Sequence, residues 1–263
     1  MDSIRQAVDR ARANNPLSPS VGVARGTDEL PQFHSVDLDP RHLETMRIIA
    51  HDPHNQNAGF YHMLRTQVLQ DMDDNGWQFL AITSATASCG KSVTACNLAL
   101  SMARLTERAV LLVDLDFKKP KVAEYLGLRG YGGVFSVLKG EASLTSVMIE
   151  ARVGRTKILV LPGEVCHSGA SEWMASQHMS TVLQTIKREF RSHLVIFDMP
   201  PILTGDDVIS VLPQMEAVLL VAGIGNTSVA DIKECHKHLK TTPVVRVVVN
   251  RVTEATDAYY GYY

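Results

Sequence analysis

The chain has 263 residues, of which 45% are hydrophobic and 21% charged, with a formal net charge of -2. That length and apolar content suit one large α/β domain with a tail rather than two separate cores, and the absence of a basic excess gives nucleic acid no electrostatic footing as the main partner. Cys89, Cys96, Cys166 and Cys235 show neither CxxC nor a regular metal-site spacing, which fits a reduced cytosolic setting, and no apolar run approaches the ~20 residues of a membrane-spanning helix.

In chain order, residues 1–14 place Ile4, Ala7, Val8 and Ala11 on one side of a short helix, followed by the aperiodic Pro-, Ser- and Gly-rich segment Asn15–Gln32. This N-terminal part is either a tethered docking helix on a linker or a frayed terminus. The organisation reads as residues 1–38 for helix and linker, 39–252 for the α/β domain, and 253–263 for a tail. Helical patterns at Asp39–Ile49 and Ala58–Met72 precede the first core strand, and Asn75-Gly76 stops the second. Strand-like runs follow at Trp77–Thr83, Ala109–Asp114, Lys157–Leu161, His193–Asp198, Ala217–Ala222 and Val244–Asn250. Helical patterns at Val93–Leu105, Lys121–Leu126, Ser171–Phe190, Asp206–Leu212 and Ser228–Leu239 alternate with them. Several of the runs are Val/Ile/Leu-rich without polar alternation, as in strands buried on both faces, so the expected fold is a doubly wound, mostly parallel sheet with ligands at the carboxyl ends of the strands.

The octet Ala85-Thr-Ala-Ser-Cys-Gly-Lys-Ser92 lies between a strand-like run and a helical one. It fits a phosphate loop with Ala in the first glycine position. The backbone N–H groups of Ala85, Thr86, Ala87, Ser88, Cys89, Gly90 and Val93 would face the phosphates, Lys91 would reach the β- and γ-phosphates, and the Ser92 hydroxyl would bind Mg²⁺. Cys89 is either a thiol activated by the helix N-terminus and Lys91 or simply a small residue tolerated in the loop. Acidic residues end two neighbouring strand runs. Asp114 and Asp116 form a pair at i, i+2, and Asp198 closes His193-Leu-Val-Ile-Phe-Asp198 in the Walker B manner, where it would hold Mg²⁺ through water. Phosphoryl transfer needs a cation on the phosphates and a carboxylate that orients the incoming hydroxyl, so Lys91 is the expected catalytic cation and Asp114 or Asp116 the expected carboxylate. Lys118 and Lys119 contact phosphate or an acidic substrate, or else form a solvated loop tip.

Ala109-Val-Leu-Leu-Val-Asp-Leu-Asp-Phe-Lys-Lys-Pro120 resembles the Walker A′ motif of the bacterial tyrosine kinases (BY-kinases), the capsule and exopolysaccharide autokinases related to the partitioning and cell-division ATPases. Phe197-Asp-Met-Pro-Pro201 followed by Asp207 resembles their Walker B region, Leu161-Pro-Gly163 with Ser171-Glu-Trp-Met174 is similar to a further family segment, and Tyr259-Tyr-Gly-Tyr-Tyr263 is similar to the C-terminal tyrosine cluster. The resemblance runs from about Phe60 to the C-terminus. It implies a P-loop NTPase with deviant Walker motifs that uses ATP and Mg²⁺ to phosphorylate its own tail, with Tyr259, Tyr260, Tyr262 and Tyr263 as acceptors. The tail of one subunit would enter the site of its neighbour in a homo-oligomer. The resemblance gives Asn250 an adenine-reading role; the bland alternative is a residue that ends its strand. It also implies a cytoplasmic chain that reaches the membrane through a separate chain-length or activator protein, for which the helix expected at Ile4–Ala11 is a candidate contact. The family's assembly motif Glu-x-x-Arg-x-x-Arg stands here as Gly59-x-x-His62-x-x-Arg65, and Thr86–Cys89 departs from the family's Pro-, Gly- and Glu-rich loop. A non-kinase ATPase switch for an export complex is the competing reading.

Overall fold

A computed structural model describes residues 33–105, 108–240 and 242–252. Eight strands form one sheet in the order β1-β4-β5-β3-β6-β2-β7-β8. They are β1 (His34–Asp37), β2 (Phe79–Ser84), β3 (Ala109–Asp114), β4 (Ile149–Val153), β5 (Thr156–Leu161), β6 (His193–Asp198), β7 (Ala217–Gly223) and β8 (Val244–Asn250). From β5 through β8 every neighbouring pair is parallel, whereas β4 runs antiparallel to β5 and β1 runs parallel to β4. All six expected strands are present, and β2, which has all six residues buried, lies between β6 and β7.

The helices are α1 (Pro40–Thr45), α2 (Ala58–Asn75), α3 (Lys91–Ala103), α4 (Val122–Leu126), α5 (Val134–Leu138), α6 (Leu144–Val147), α7 (Ala170–Met174), α8 (Gln177–Glu189), α9 (Asp207–Val211) and α10 (Val229–His238). Because successive strand residues point to opposite faces, the sheet feeds two cores. Leu80, Ile82, Leu112 and Ile196 pack with Val68 and Met72 of α2 and with Leu98 and Met102 of α3. Phe79, Leu111, Val195 and Phe197 pack with Met174, Leu183 and Ile186 of α7 and α8 and with Val211 of α9. Each such fully buried side chain contributes about 1.5–3 kcal/mol.

Three departures from the sequence reading have identifiable causes. β1, placed by the sequence in the N-terminal linker segment, pairs with β4 at the sheet edge and buries none of its four residues fully, so it carries no apolar pattern. β4 is a half-exposed strand in which Ile149, Ala151 and Val153 face inward and Glu150 and Arg152 outward, joined to β5 by the two-residue turn Gly154-Arg155. The long helix expected over Ser171–Phe190 breaks at Ser176, whose hydroxyl accepts from the Met179 amide at 3.2 Å and caps α8.

Glu216 anchors the entry to β2. One carboxylate oxygen accepts from the Gln78 and Phe79 amides at 2.7 and 2.8 Å, and the other from Lys187 at 2.6 Å. Burial pushes its pKa up, but Lys187 and the two amides outweigh burial and hold it below the usual value. A depressed carboxylate contributes stability that is present above its unfolded pKa and lost as pH falls through the folded one. Glu216→Gln is therefore expected to cost about 1–3 kcal/mol in urea titrations at pH 7, with the two proteins converging as pH falls below 4.5, the ordinary glutamate value.

Candidate functional site: a phosphate loop ringed by strand-end carboxylates

β2 ends at Ser84 and the chain turns through Ala85–Gly90 into α3, so the loop sits on the carboxyl edge of the parallel sheet. Ser88 and Gly90 take left-handed backbone conformations, with φ of 61° and 90°. This curls the loop so that the amides of Ala87, Ser88, Cys89 and Gly90 meet no acceptor among the described residues. Together with the first turn of α3 they form a concave set of donors, the arrangement that receives a phosphate group. The loop is pinned from outside: Leu203 N donates to the Ala85 carbonyl at 3.1 Å, Thr86 Oγ1 to the Asn226 carbonyl at 3.1 Å, and Asn250 Nδ2 to the Cys89 carbonyl at 3.0 Å.

Cys89 is fully buried. Burial pushes its thiol pKa up, yet hydrogen bonds to Thr227 and Thr86 and to the Gly223 and Thr86 backbone outweigh burial and leave it lowered. These contacts, rather than Lys91, set the thiol's environment. Val93 is half-buried in the first turn of α3.

Strand register brings the acids together. Asp114 and Asp198 are partners across β3 and β6, and both are completely buried. Lys91 Nζ lies 2.7 Å from Asp116 Oδ2 and 3.5 Å from Asp198 Oδ1, and it donates to Ser92 Oγ at 3.3 Å. Burial works against the charge on Lys91, but Asp198 and Asp116 overcome it and raise its pKa, so the ammonium stays charged. Asp114 is directed elsewhere: its Oδ1 accepts from Asp116 N at 3.0 Å, and its Oδ2 from Lys121 N and Val122 N at 2.9 and 3.0 Å. Burial and then Asp198 push Asp114 up to about 8, and burial likewise raises Asp198. Asp114 therefore shapes the turn that carries Asp116, while Asp116 and Asp198 hold the lysine.

A hard divalent cation fits beside Ser92. Asp198 Oδ2 is buried with no hydrogen-bond partner, and the Ser92 hydroxyl lies against the same carboxylate. Among the described residues no group of three or more His, Cys, Asp or Glu side chains forms a metal cage by itself. Such a set suits Mg²⁺, which keeps waters and takes phosphate oxygens, and fits no all-protein site. When bound there, Mg²⁺ would neutralise charge developing on the transferred phosphoryl group.

Asn250, at the end of β8, uses both ends of its amide within the protein: Nδ2 donates to Cys89 and Oδ1 accepts from Arg251 N at 2.8 Å. Tyr259, Tyr260, Tyr262 and Tyr263 lie outside the described residues, as does the segment Ile4–Ala11 for which the sequence predicts a helix. The residues that pin Cys89 and Thr86, namely Thr227 and Asn226, carried no signal in sequence, because nothing but the fold brings a β7–α10 turn onto the loop. A cavity of about 510 Å³ bounded by Arg41, His51, Arg104 and Arg155 lies at the opposite, amino edge of the sheet and has no part in this site. No helix among the described residues is long and apolar enough to cross a membrane.

The sequence is 30% identical over 200 residues to the putative tyrosine-protein kinase EpsB of Ralstonia nicotianae, an alignment covering 76% of this chain and 26% of EpsB. The chain thus spans about a quarter of that relative's length. It is 27% identical over 217 residues to the tyrosine-protein kinase YwqD of Bacillus subtilis, covering 81% of this chain and 88% of YwqD. The kinase domain of the Escherichia coli tyrosine kinase ETK superposes with a TM-score of 0.67 at 25% identity, over 82% of this chain and 84% of that one. Residues 80–260 match the CobQ/CobB/MinD/ParA nucleotide binding domain, a span that takes in the phosphate loop and the carboxylates around it; the chain belongs to that family.

Proposed function

We propose that the chain is a Mg²⁺- and ATP-dependent protein-tyrosine autokinase whose acceptors are Tyr259, Tyr260, Tyr262 and Tyr263. The observation that carries this reading is the Lys91 ammonium held between Asp116 and Asp198 at the first residue of α3, beside the concave loop amides. The names of EpsB, YwqD and ETK supply the reaction class. In this reading the loop amides and Lys91 hold the phosphates of ATP, Ser92 and Asp198 hold Mg²⁺, and Asp116, freed as Lys91 turns to phosphate, accepts the proton of the acceptor hydroxyl. The tyrosine oxygen bonds to the γ-phosphorus while the bond to the bridging oxygen breaks, and that electron pair leaves with ADP. The tail is expected to enter the site of another copy in a homo-oligomer. Following the family resemblance, the chain acts in the cytoplasm in exopolysaccharide or capsule production, docked on a separate membrane activator protein.

Replacing all four terminal tyrosines by Phe tests the reading. Phosphotyrosine on the chain, measured by mass spectrometry after incubation with ATP and Mg²⁺, is expected to vanish while the affinity for a fluorescent ATP analogue stays within about twofold, since the tail does not form the phosphate loop. Wild-type protein that hydrolyses ATP yet carries no phosphate on these residues, with or without the activator's cytoplasmic segment, marks a nucleotide switch instead of a kinase.

A further inference from the structure

Lys118 follows Asp116 by two residues where the chain leaves β3, and half of its side chain is exposed. Its ammonium lies 2.5 Å from Asp207 Oδ2. Asp207 is the first residue of α9 and is only 4% exposed. Its other carboxylate oxygen accepts the hydroxyl of Ser171, in α7. Segments that follow β3, β5 and β6 therefore meet at one buried carboxylate on the rim of the site. Gly205 makes room for the meeting: a Cβ there would lie 3.2 Å from Lys118 Nζ and 3.3 Å from Asp207 Oδ2.

A buried carboxylate needs its partners, but a half-exposed lysine is a weak stabiliser because solvent screens the pair. What the pair does supply is placement. An ammonium has three donors, and Asp207 is the one acceptor for Lys118 among the described residues. Two donors are left for a group arriving at the open edge, and Asp206 and then Asp116 are close enough to act on the same charge.

We propose that Ser171, Asp207 and Lys118 form the acceptor-side clasp of the site. Asp207 is the positioning residue. It fixes the Lys118 ammonium on the rim, where Lys118 contacts the incoming nucleophile as its proton passes to Asp116. The inference rests on the phosphotransfer reading given above and adds a residue set that the phosphate loop and strand-end carboxylates do not contain. The clasp touches neither the loop amides nor Ser92, so it governs turnover and not nucleotide binding.

The test compares full-length wild-type, Asp207→Asn, Lys118→Met, Lys118→Arg and the Asp207→Asn/Lys118→Arg pair. Three quantities are read: the dissociation constant of a fluorescent ATP analogue, the rate of phosphotyrosine formation, and the rate of ATP hydrolysis. Asp207→Asn and Lys118→Met are each expected to slow phosphotransfer by about ten- to a hundredfold, the penalty for a misplaced contact, with analogue affinity within about twofold of wild type. Lys118→Arg is expected to retain most of the rate when Asp207 is present and to lose it in the Asp207→Asn pair. Analogue affinity falling in step with the rate, or Lys118→Met turning over at the wild-type rate, overturns the proposal. If wild type hydrolyses ATP without labelling tyrosine, the kinase reading fails on its own, and the clasp stands or falls by whether the same variants slow attack by water. Should Asp207→Asn fail to fold, Lys118→Met, at a half-exposed position, carries the comparison.

Discussion

Lys91→Met is expected to reduce phosphotransfer by at least about 10²-fold, and to lower the stability of the protein itself. The first effect follows from the loss of the only ammonium among the described residues that bridges Asp116 and Asp198 beside the loop amides. The second follows from what remains. Asp198 and Asp114 are fully buried and both are already raised by burial; Lys91 is the charge that opposes this in each. Removing one partner from a buried ion pair typically costs about 3–5 kcal/mol. The sign with pH is fixed by the direction of the shift: a carboxylate raised in the fold keeps its proton there, so it costs stability as pH climbs above its unfolded value. Asp114 keeps its proton in both folded proteins up to about 8, so its share of the Lys91→Met deficit is expected to open as pH rises past that value, where Lys91 lets the wild-type carboxyl ionise first. Adding Asp198→Asn to Lys91→Met removes one of the stranded charges, so melting temperature should recover in part while turnover does not. A double variant that regains activity along with stability would show that Lys91 serves the fold and not the reaction.

The parallel centre of the sheet was legible because each of its strands is buried on both faces and reads as an apolar run, as in Val110-Leu-Leu-Val113 and Leu194-Val-Ile-Phe197. The two strands at one end of the sheet, β1 at the edge and β4 beside it, escape this logic. Val36 is the only apolar residue of β1, and β4 shows its three inward residues only as alternation with Glu150 and Arg152. The loop and its acids were legible for a different reason: a phosphate loop is a local motif, and strand-end carboxylates follow apolar runs directly. What the motif does not carry is the division of labour between Asp114 and Asp116. Their spacing is that of two residues on one side of an extended strand, but the strand ends at Asp114, whose oxygens take three backbone amides, and Asp116 alone of the two is left to meet Lys91. Contacts that join distant segments, such as Lys118 with Asp207 or Asn250 with Cys89, have no sequence period and needed the fold.

Gly90→Ala is expected to destabilise the chain by about 1.5–3.5 kcal/mol and to weaken binding of a fluorescent ATP analogue by about tenfold or more, through two separable causes. The first is backbone: at φ 90° an L-residue is strained, by about 1–2 kcal/mol in the left-handed region. The second is a neighbour: a Cβ on Gly90 would fall 2.1 Å from Asn250 Nδ2, so the amide must leave the Cys89 carbonyl that it now holds at 3.0 Å. Because the obstructing atom is the far end of a side chain, it swings away instead of forcing β8 to move, and the lost hydrogen bond contributes about 0.5–1.5 kcal/mol. Asn250→Ala alone should cost about that much. Combining it with Gly90→Ala should then cost less than the sum of the two single changes, by a coupling of about 0.5–1.5 kcal/mol in urea titrations, since the second change no longer breaks a bond that the first has already removed. The backbone share persists in the pair, so nucleotide affinity should stay low. Full additivity would place Asn250 outside the loop's support, and recovery of affinity in the pair would mean that the overlap, and not the φ of residue 90, sets the shape that receives phosphate.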